Sequence, residues 1–156
     1  MSVPSRKLLL AVLAATAALA ASGCGSTSRS PLVARADPIC KPVATKRTAV
    51  NAALAGKSQT KALEVLAREA PSVAALEIET VDRLRTLKAP NALSNDWQQL
   101  LVGMQKLAED NQKLGAAAKA KNATAVQRVD GEGQQVRQQL TVIATRDGFT
   151  YCGRAS

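Results

Sequence analysis

The stretch Trp97-Gln98-Gln99-Leu100-Leu101-Val102-Gly103-Met104-Gln105-Lys106-Leu107 carries the most regular helical pattern in the chain. Its bulky apolar residues recur at intervals of three and four positions, and the pattern continues through Leu114 and Ala118. Ser94 is a suitable N-cap, and Asp96 in the first turn suits the positive end of the helix dipole. The spacing therefore predicts a long amphipathic helix that begins at this cap and ends near two lysines, Lys119 and Lys121.

Residues 122–147 carry a second such pattern, which Asp147-Gly148 should end. Gly133 falls on the apolar face of this segment, where a glycine weakens a helix. We therefore expect a neighbouring backbone, or a bulky residue such as Trp97, to pack against Gly133.

Two further amphipathic segments precede the helix that is predicted to begin at Ser94. One runs from about residue 58 to 87, and Pro71 should kink it or split it in two. The other runs over residues 38–55, with Asp37 as its cap. Strand signals are essentially absent. Four amphipathic segments joined by short connections predict an all-α fold, an antiparallel up-down bundle of about four helices.

The first twenty-four residues have the three parts of a secretory signal. Arg6 and Lys7 come first, an apolar run of 14 residues follows from Leu8 to Ala21, and small residues precede Cys24. A helix that spans a membrane needs about 20 apolar residues. The run is therefore too short for a comfortable transmembrane anchor, and a cleaved signal is expected.

The tetrapeptide Ala21-Ser22-Gly23-Cys24 is similar to the lipobox of bacterial lipoproteins, in which the cysteine receives diacylglycerol and the chain is then cleaved before it. This predicts a signal peptide over 1–23, a lipidated Cys24 with a flexible, serine-rich tether over 24–36, and a helical domain over 37–156. The protein would be lipid-anchored on the extracytoplasmic face of the cell membrane. Ordinary cleavage at Ala18-Leu19-Ala20, or an uncleaved anchor, stays open as an alternative.

Lipidation of Cys24 would leave two of the three cysteines, Cys40 and Cys152, in a compartment where disulfides persist. We expect them to be bonded, so that the first helix is tied to the C-terminal tail. Phe149 and Tyr151 flank Cys152 and are two of only three aromatic residues in the chain. The tail is therefore predicted to dock on the bundle.

Three segments together suggest a family: Ala34-Arg35-Ala36-Asp37-Pro38-Ile39-Cys40, the stretch Leu84–Pro90 followed by Trp97, and Gly148-Phe149-Thr150-Tyr151-Cys152-Gly153. With the lipobox, the chain resembles small secreted or lipid-anchored actinobacterial proteins that have an Ala-Asp-x-Ile-Cys start and a Cys-Gly finish. The resemblance implies a helical domain closed by a disulfide between Cys40 and Cys152, and it implies no activity.

Catalytic chemistry has little support in the composition. Histidine is absent from all 156 residues, which removes the usual general base and the commonest metal ligand. Glu77, Glu79 and Asp82 cluster in the second helix, and a solvated helix face is the expected role for them. Asp130-Gly131-Glu132-Gly133 lacks the ligand spacing of a calcium loop. We expect no catalytic residue, no metal site and no cofactor.

The positive charge is the one feature that suggests a partner. Without Arg6 and Lys7, the mature chain has 19 basic and 12 acidic residues. No acidic residue occurs between Pro38 and Leu63, whereas five basic ones do: Lys41, Lys46, Arg47, Lys57 and Lys61. They form a basic girdle, which is either an ordinary solvated surface or a surface that attracts anionic lipid headgroups, phosphate-bearing wall polymers or another envelope protein. Nucleic acid is not expected, because stacking aromatic residues are almost missing.

Two functional hypotheses follow. The first is a non-enzymatic lipoprotein whose bundle presents this basic surface to the envelope or to another envelope protein. The second is a carrier that holds a small apolar molecule or a lipid between its helices, since an alanine-rich interior with few aromatic residues can leave gaps. A pocket of several hundred Å³ lined by Leu and Val would favour the carrier.

Overall fold

A computed structural model describes residues 30–154 of the chain. Over this range the chain forms four α-helices, α1 (Pro31–Leu54), α2 (Gln59–Arg85), α3 (Ser94–Lys119) and α4 (Ala123–Asp147), with a 3-10 turn at Asn91–Leu93 and no strand. The predicted all-α bundle is therefore confirmed. The predicted signal peptide and lipidated Cys24 lie outside the described residues.

Each helix packs against the next one along the chain. One apolar core joins the start of α1, the end of α2, the start of α3 and the end of α4, as Val33, Leu84, Leu100 and Ala144 illustrate. These four ends can meet only if neighbouring helices run in opposite directions. We call this end of the bundle, which also holds residues 148–154, the tail end. The opposite end, with the α1–α2 and α3–α4 connections, is the loop end.

Helix α1 begins seven residues earlier than predicted, at Pro31, and Ser30 caps it by accepting a hydrogen bond from the backbone N–H of Leu32. The flexible tether predicted over 24–36 is thus wrong for residues 31–36. The physical reason is burial, since Leu32, Val33 and Ala36 lie in the core and packing stabilises the extra turns.

Prolines do not interrupt the helices as the sequence suggested. Pro38 and Pro42 lie inside α1 at exposed positions, where water can bind the backbone carbonyls that proline leaves without a donor. Helix α2 also continues through Pro71, so the predicted split is wrong. A Cβ atom added to Gly115 of α3 would lie 2.8 Å from the ring of Pro71. The ring of Pro71 therefore packs closely against the backbone of α3.

The C-terminal tail docks on the bundle as predicted. Gly148 ends α4 in the left-handed conformation with φ of 83°, and Phe149 stacks on Trp97 with ring centres 6.0 Å apart. Cys152 is bonded to Cys40 of α1.

The neighbour proposed for Gly133 is wrong, because Trp97 packs on the tail. The nearest atom to a Cβ built on Gly133 is Nη1 of Arg137, one turn along the same helix, at 3.1 Å.

Candidate binding cleft and basic surface

The first and last helices are not packed closely against each other, and this leaves a seam between them. At the tail end the tail closes the seam. Cys152 is bonded to Cys40 of α1, the backbone N–H of Phe149 donates to the carbonyl of Ala144 in α4, and Gly153 packs against Leu140. The contacts of the described tail residues, 148–154, all lie at the tail end of the bundle.

A cleft of about 200 Å³ lies among all four helices in the loop-end half of the bundle. Its aliphatic lining consists of Val50, Leu54, Leu66, Ala70, Val73 and Leu114. Its polar lining consists of Arg47, Asn51, Asn111, Asp130 and Arg137. The cleft therefore has both an aliphatic and a polar part to its wall, and the polar part includes two guanidinium groups.

A buried charge cluster lies beside the cleft. Oε1 of Glu77 accepts hydrogen bonds from Nε and Nη2 of Arg47 at 2.9 and 2.6 Å, and Oε2 accepts one from the side chain of Asn111 at 2.9 Å. Glu77 is fully buried. The two opposite charges and the amide satisfy one another and connect α1, α2 and α3.

The solvated face predicted for the carboxylates of α2 is therefore wrong for Glu77, although Glu79 and Asp82 are exposed. The signal for burial was present in the sequence. Position 77 continues the buried series Ala70, Val73, Val81 and Leu84 at intervals of three and four residues.

The second guanidinium of the cleft belongs to α4. Nη2 of Arg137 donates to Oδ1 of Asp130 at 2.9 Å, and the Arg137 side chain is 29% exposed. Among the described residues, Nε and Nη1 of Arg137 have no hydrogen-bond acceptor. Sequence reasoning did not identify Arg137, because its position in the cleft depends on how α4 packs against the other three helices.

The five residues predicted to form a basic surface do not come together. Lys46 pairs with Glu69 at 2.6 Å, Arg47 with buried Glu77, and Lys61 with Glu64 at 3.0 Å. Lys41 lies over the ring of Tyr151 with its Nζ atom 5.8 Å from the ring centre. No ion pair involves Lys57 in the part of the chain that the structure describes. The girdle on α1 is thus largely neutralised by neighbouring carboxylates, which sequence separations of 23 and 30 residues had concealed for two of the pairs.

The ion pair of Lys46 also changes the acidity of its partner. The hydrogen bonds from Lys46 and then from Arg68 lower the pKa of Glu69 below its ordinary value of 4.5. Glu69 therefore stays ionised at neutral pH and neutralises part of the charge of α1 and α2.

Exposed positive charge accumulates instead at the loop end, where Lys61 alone of four lysines has an ion pair among the described residues. Lys57 and Lys61 come from the α1–α2 connection and the first turn of α2, and Lys119 and Lys121 come from the end of α3 and the loop after it. All four side chains are exposed. Glu64 is the one acidic residue within 55–64 and 115–127, so the loop end has a net positive charge.

Asp37 has a role that the sequence did not reveal. It lies inside α1 and is 1% exposed, so the predicted N-cap role is wrong. Its carboxylate accepts backbone N–H groups of the tail: Thr150 at 2.9 Å, Tyr151 at 3.0 Å and Cys152 at 3.4 Å. Asp37 thus fixes the tail next to the disulfide.

The described part of the chain has no group of three or more Cys, Asp or Glu side chains placed to hold a metal ion. Between residues 30 and 154, no helix has the length and apolar character needed to cross a membrane. Comparison of the chain with known protein families, curated proteins and solved structures finds no match.

Proposed function

We propose that the chain is a non-catalytic lipoprotein domain, held by lipid on Cys24 at the extracytoplasmic face of the membrane, whose basic surface binds an anionic partner in the cell envelope. The lipobox and the apolar run before it support the anchor. The absence of histidine and the bonded state of Cys40 and Cys152 support a role without catalysis.

The four lysines of the loop end carry this proposal. They are exposed, and a single carboxylate accompanies them in the two segments that supply them. Such a surface attracts polyanions, with a strength that falls as salt screens the charges. The partner that suits it best is a phosphate-bearing wall polymer.

The position of the anchor supports a wall polymer over the headgroups of the membrane itself. Cys24 precedes α1 by a few residues in the sequence, so a lipid on Cys24 would hold the tail end nearer to the membrane than the loop end. Helix α1 has 24 residues and is therefore about 36 Å long. A bundle that stands on its anchor would present the loop-end lysines to the wall.

The test compares two multiple variants of the mature, detergent-solubilised lipoprotein. In one, Lys57, Lys61, Lys119 and Lys121 are replaced by Gln. In the control, Arg35, Lys41, Arg83 and Lys88, which are basic residues closer to the tail end, are replaced by Gln. We expect the loop-end variant to lose retention on purified cell-wall polymer at low salt and the control to keep it. Equal retention of both variants, or preferential loss in the control, would contradict the proposal.

The alternative expected from the sequence, a carrier of a small apolar molecule or a lipid in the bundle interior, finds less support. The cleft among the four helices, at about 200 Å³, is smaller than the roughly 300–1,000 Å³ that sites for drug-sized ligands occupy, and the larger grooves, of about 440–550 Å³, are more open to solvent. Two arginines in its wall also make it unlike a pocket lined by Leu and Val alone.

A further inference from the structure

We propose that the cleft binds a small amphipathic anion, specifically a monocarboxylate with a short aliphatic body. This inference goes beyond the polymer-binding surface and does not depend on it, because the cleft and the loop-end lysines share no residue.

The shape and lining of the cleft set the size and the apolar part of the ligand. A cavity of about 150 Å³ lined by aliphatic side chains holds benzene. The cleft is somewhat larger, at about 200 Å³, and six aliphatic side chains from α1, α2 and α3 line it. It fits an aliphatic chain of about six carbons, and it is too small for a whole lipid.

Arg137 supplies the charge that recognises the anionic group. Its Nη2 atom is occupied by Asp130, while Nε and Nη1 have no acceptor among the described residues. A partly buried guanidinium forms stronger hydrogen bonds with a carboxylate than with a neutral acceptor. A ligand carboxylate at Arg137 would leave its short chain to the aliphatic side chains that line the same cleft.

The other charges around the cleft favour one negative charge on the ligand. Arg47 and Arg137 each already have a carboxylate partner, Glu77 and Asp130, so only the N–H groups of Arg137 that lack an acceptor are offered to a ligand, and one carboxylate suffices for them. Asp130 accepts a hydrogen bond from Arg137, and its negative charge would repel a dianion more strongly than a monoanion. The exposed lysines at the loop end raise the local concentration of anions near the cleft.

The test measures binding of hexanoate and of hexanol, its neutral counterpart, to the mature protein by NMR, following the methyl groups of Val50, Leu54 and Leu114. We expect hexanoate to shift these methyl signals and to bind at least tenfold more tightly than hexanol. Arg137→Gln should weaken hexanoate at least tenfold and leave hexanol nearly unchanged. Arg128→Gln is the matched control, because Arg128 also lies on α4 and pairs with an acid, Glu132, but does not line the cleft.

A second variant tests whether the ligand binds in the cleft, without changing any charge. Val50→Phe places a larger side chain in the cleft, so it should abolish binding of both compounds without lowering the melting temperature. Equal affinity for hexanoate and hexanol, equal losses in the Arg137 and Arg128 variants, or undiminished binding to Val50→Phe would overturn the proposal. Each result is independent of retention on wall polymer.

Discussion

A single carboxylate, that of Asp37, receives three backbone N–H groups of the tail and is almost completely buried. The charge matters as much as the position, because hydrogen bonds to an ionised acceptor are about twice as strong as those between neutral groups. Replacing Asp37 by Asn removes the negative charge. It also replaces one carboxylate oxygen by an NH2 group, which cannot accept the backbone N–H groups of the tail. We expect Asp37→Asn to lower the free energy of unfolding by about 1–3 kcal/mol, measured by urea denaturation.

Asp82→Asn is the control for this prediction. Asp82 has the same side chain but is exposed and pairs with Arg85 on the surface of α2, where such pairs contribute about 0–1 kcal/mol. Similar losses of stability in the two variants would show that Asp37 does not hold the tail.

The acidity of Glu69 provides a test of the neutralised girdle. Because Lys46 and Arg68 lower the pKa of Glu69 in the folded protein, folding favours its ionised form. The resulting stabilisation is present above the unfolded pKa of about 4.5 and is lost as the pH falls through the lower folded value. We expect carboxyl NMR to show Glu69 titrating below 4.5, and Lys46→Gln to raise that pKa. A titration of Glu69 at or above 4.5 in the unaltered protein would show that the ion pair does not form in solution.

Among single residues, some roles follow from the residue type and could be predicted from the sequence. Roles that depend on hydrogen-bond partners far away in the sequence could not. The docking of Phe149 beside a bonded Cys152 followed from residue type and pairing of the cysteines. The acceptor role of Asp37 did not, because its partners lie 113 to 115 positions away. For Glu77, only half of its role could be predicted. Helical spacing indicates that it lies on the buried face of α2, whereas its partners Arg47 and Asn111 come from other helices and could not be predicted.

The contact between α2 and α3 depends on the absence of a side chain at Gly115. A Cβ atom at this position would lie 2.8 Å from two ring atoms of Pro71, and a proline ring cannot rotate away. We expect Gly115→Ala to destabilise the protein by about 1–3 kcal/mol, because the helices must separate. Gly131→Ala should instead stabilise it by up to about 1 kcal/mol, since nothing lies within 4 Å of its Cβ position and alanine favours a helix.

These two glycine variants are compared by thermal or urea unfolding. The opposite signs are the essential result, because both changes add the same methyl group to a helix. A stabilising Gly115→Ala would mean that α2 and α3 are farther apart than described.

The buried cluster of Arg47, Glu77 and Asn111 fixes the positions of three helices relative to one another. Glu77→Leu would leave the guanidinium of Arg47 and the amide of Asn111 without their acceptor, which should cost about 3–5 kcal/mol of unfolding free energy. The double variant Arg47→Met and Glu77→Leu removes both charges of the cluster, so neither charge is left without its partner. We therefore expect the double variant to be more stable than Glu77→Leu alone, as measured by urea denaturation. A double variant less stable than the single one would argue against a charge pair at this place.

At the scale of elements, periodicity located all four helices, and local signals misplaced some of their boundaries. The sequence predicts a start of α1 at residue 38, because Asp37-Pro38 suits a helix start and the stretch before it is serine-rich. Burial of Leu32 and Val33 against other helices extends α1 to Pro31. Pro71 was expected to interrupt α2, yet its ring finds space against Gly115, and a contact between two helices cannot be inferred from the sequence of either one.

The whole molecule has two unlike ends. At the tail end, the disulfide, Asp37 and stacked aromatic rings close the seam between α1 and α4. At the loop end the seam stays open as a cleft, and four exposed lysines lie in the connections at this end. The fold class and the closing disulfide could be predicted from the sequence, because they follow from helical periodicity and from the number of cysteines. The cleft could not, since it arises from how four helices and the tail share space.

The proposed anchor and the observed disulfide assign a state to each of the three cysteines, Cys24 acylated and Cys40 bonded to Cys152, and intact-mass analysis tests these states together. The protein should be isolated with its lipid from the host that exports it and measured before and after reduction and alkylation. We expect a chain that begins at an acylated Cys24, with Cys40 and Cys152 labelled only after reduction. An unacylated N-terminus, or free thiols at both later cysteines before reduction, would contradict a lipid-anchored bundle closed between its first helix and its tail.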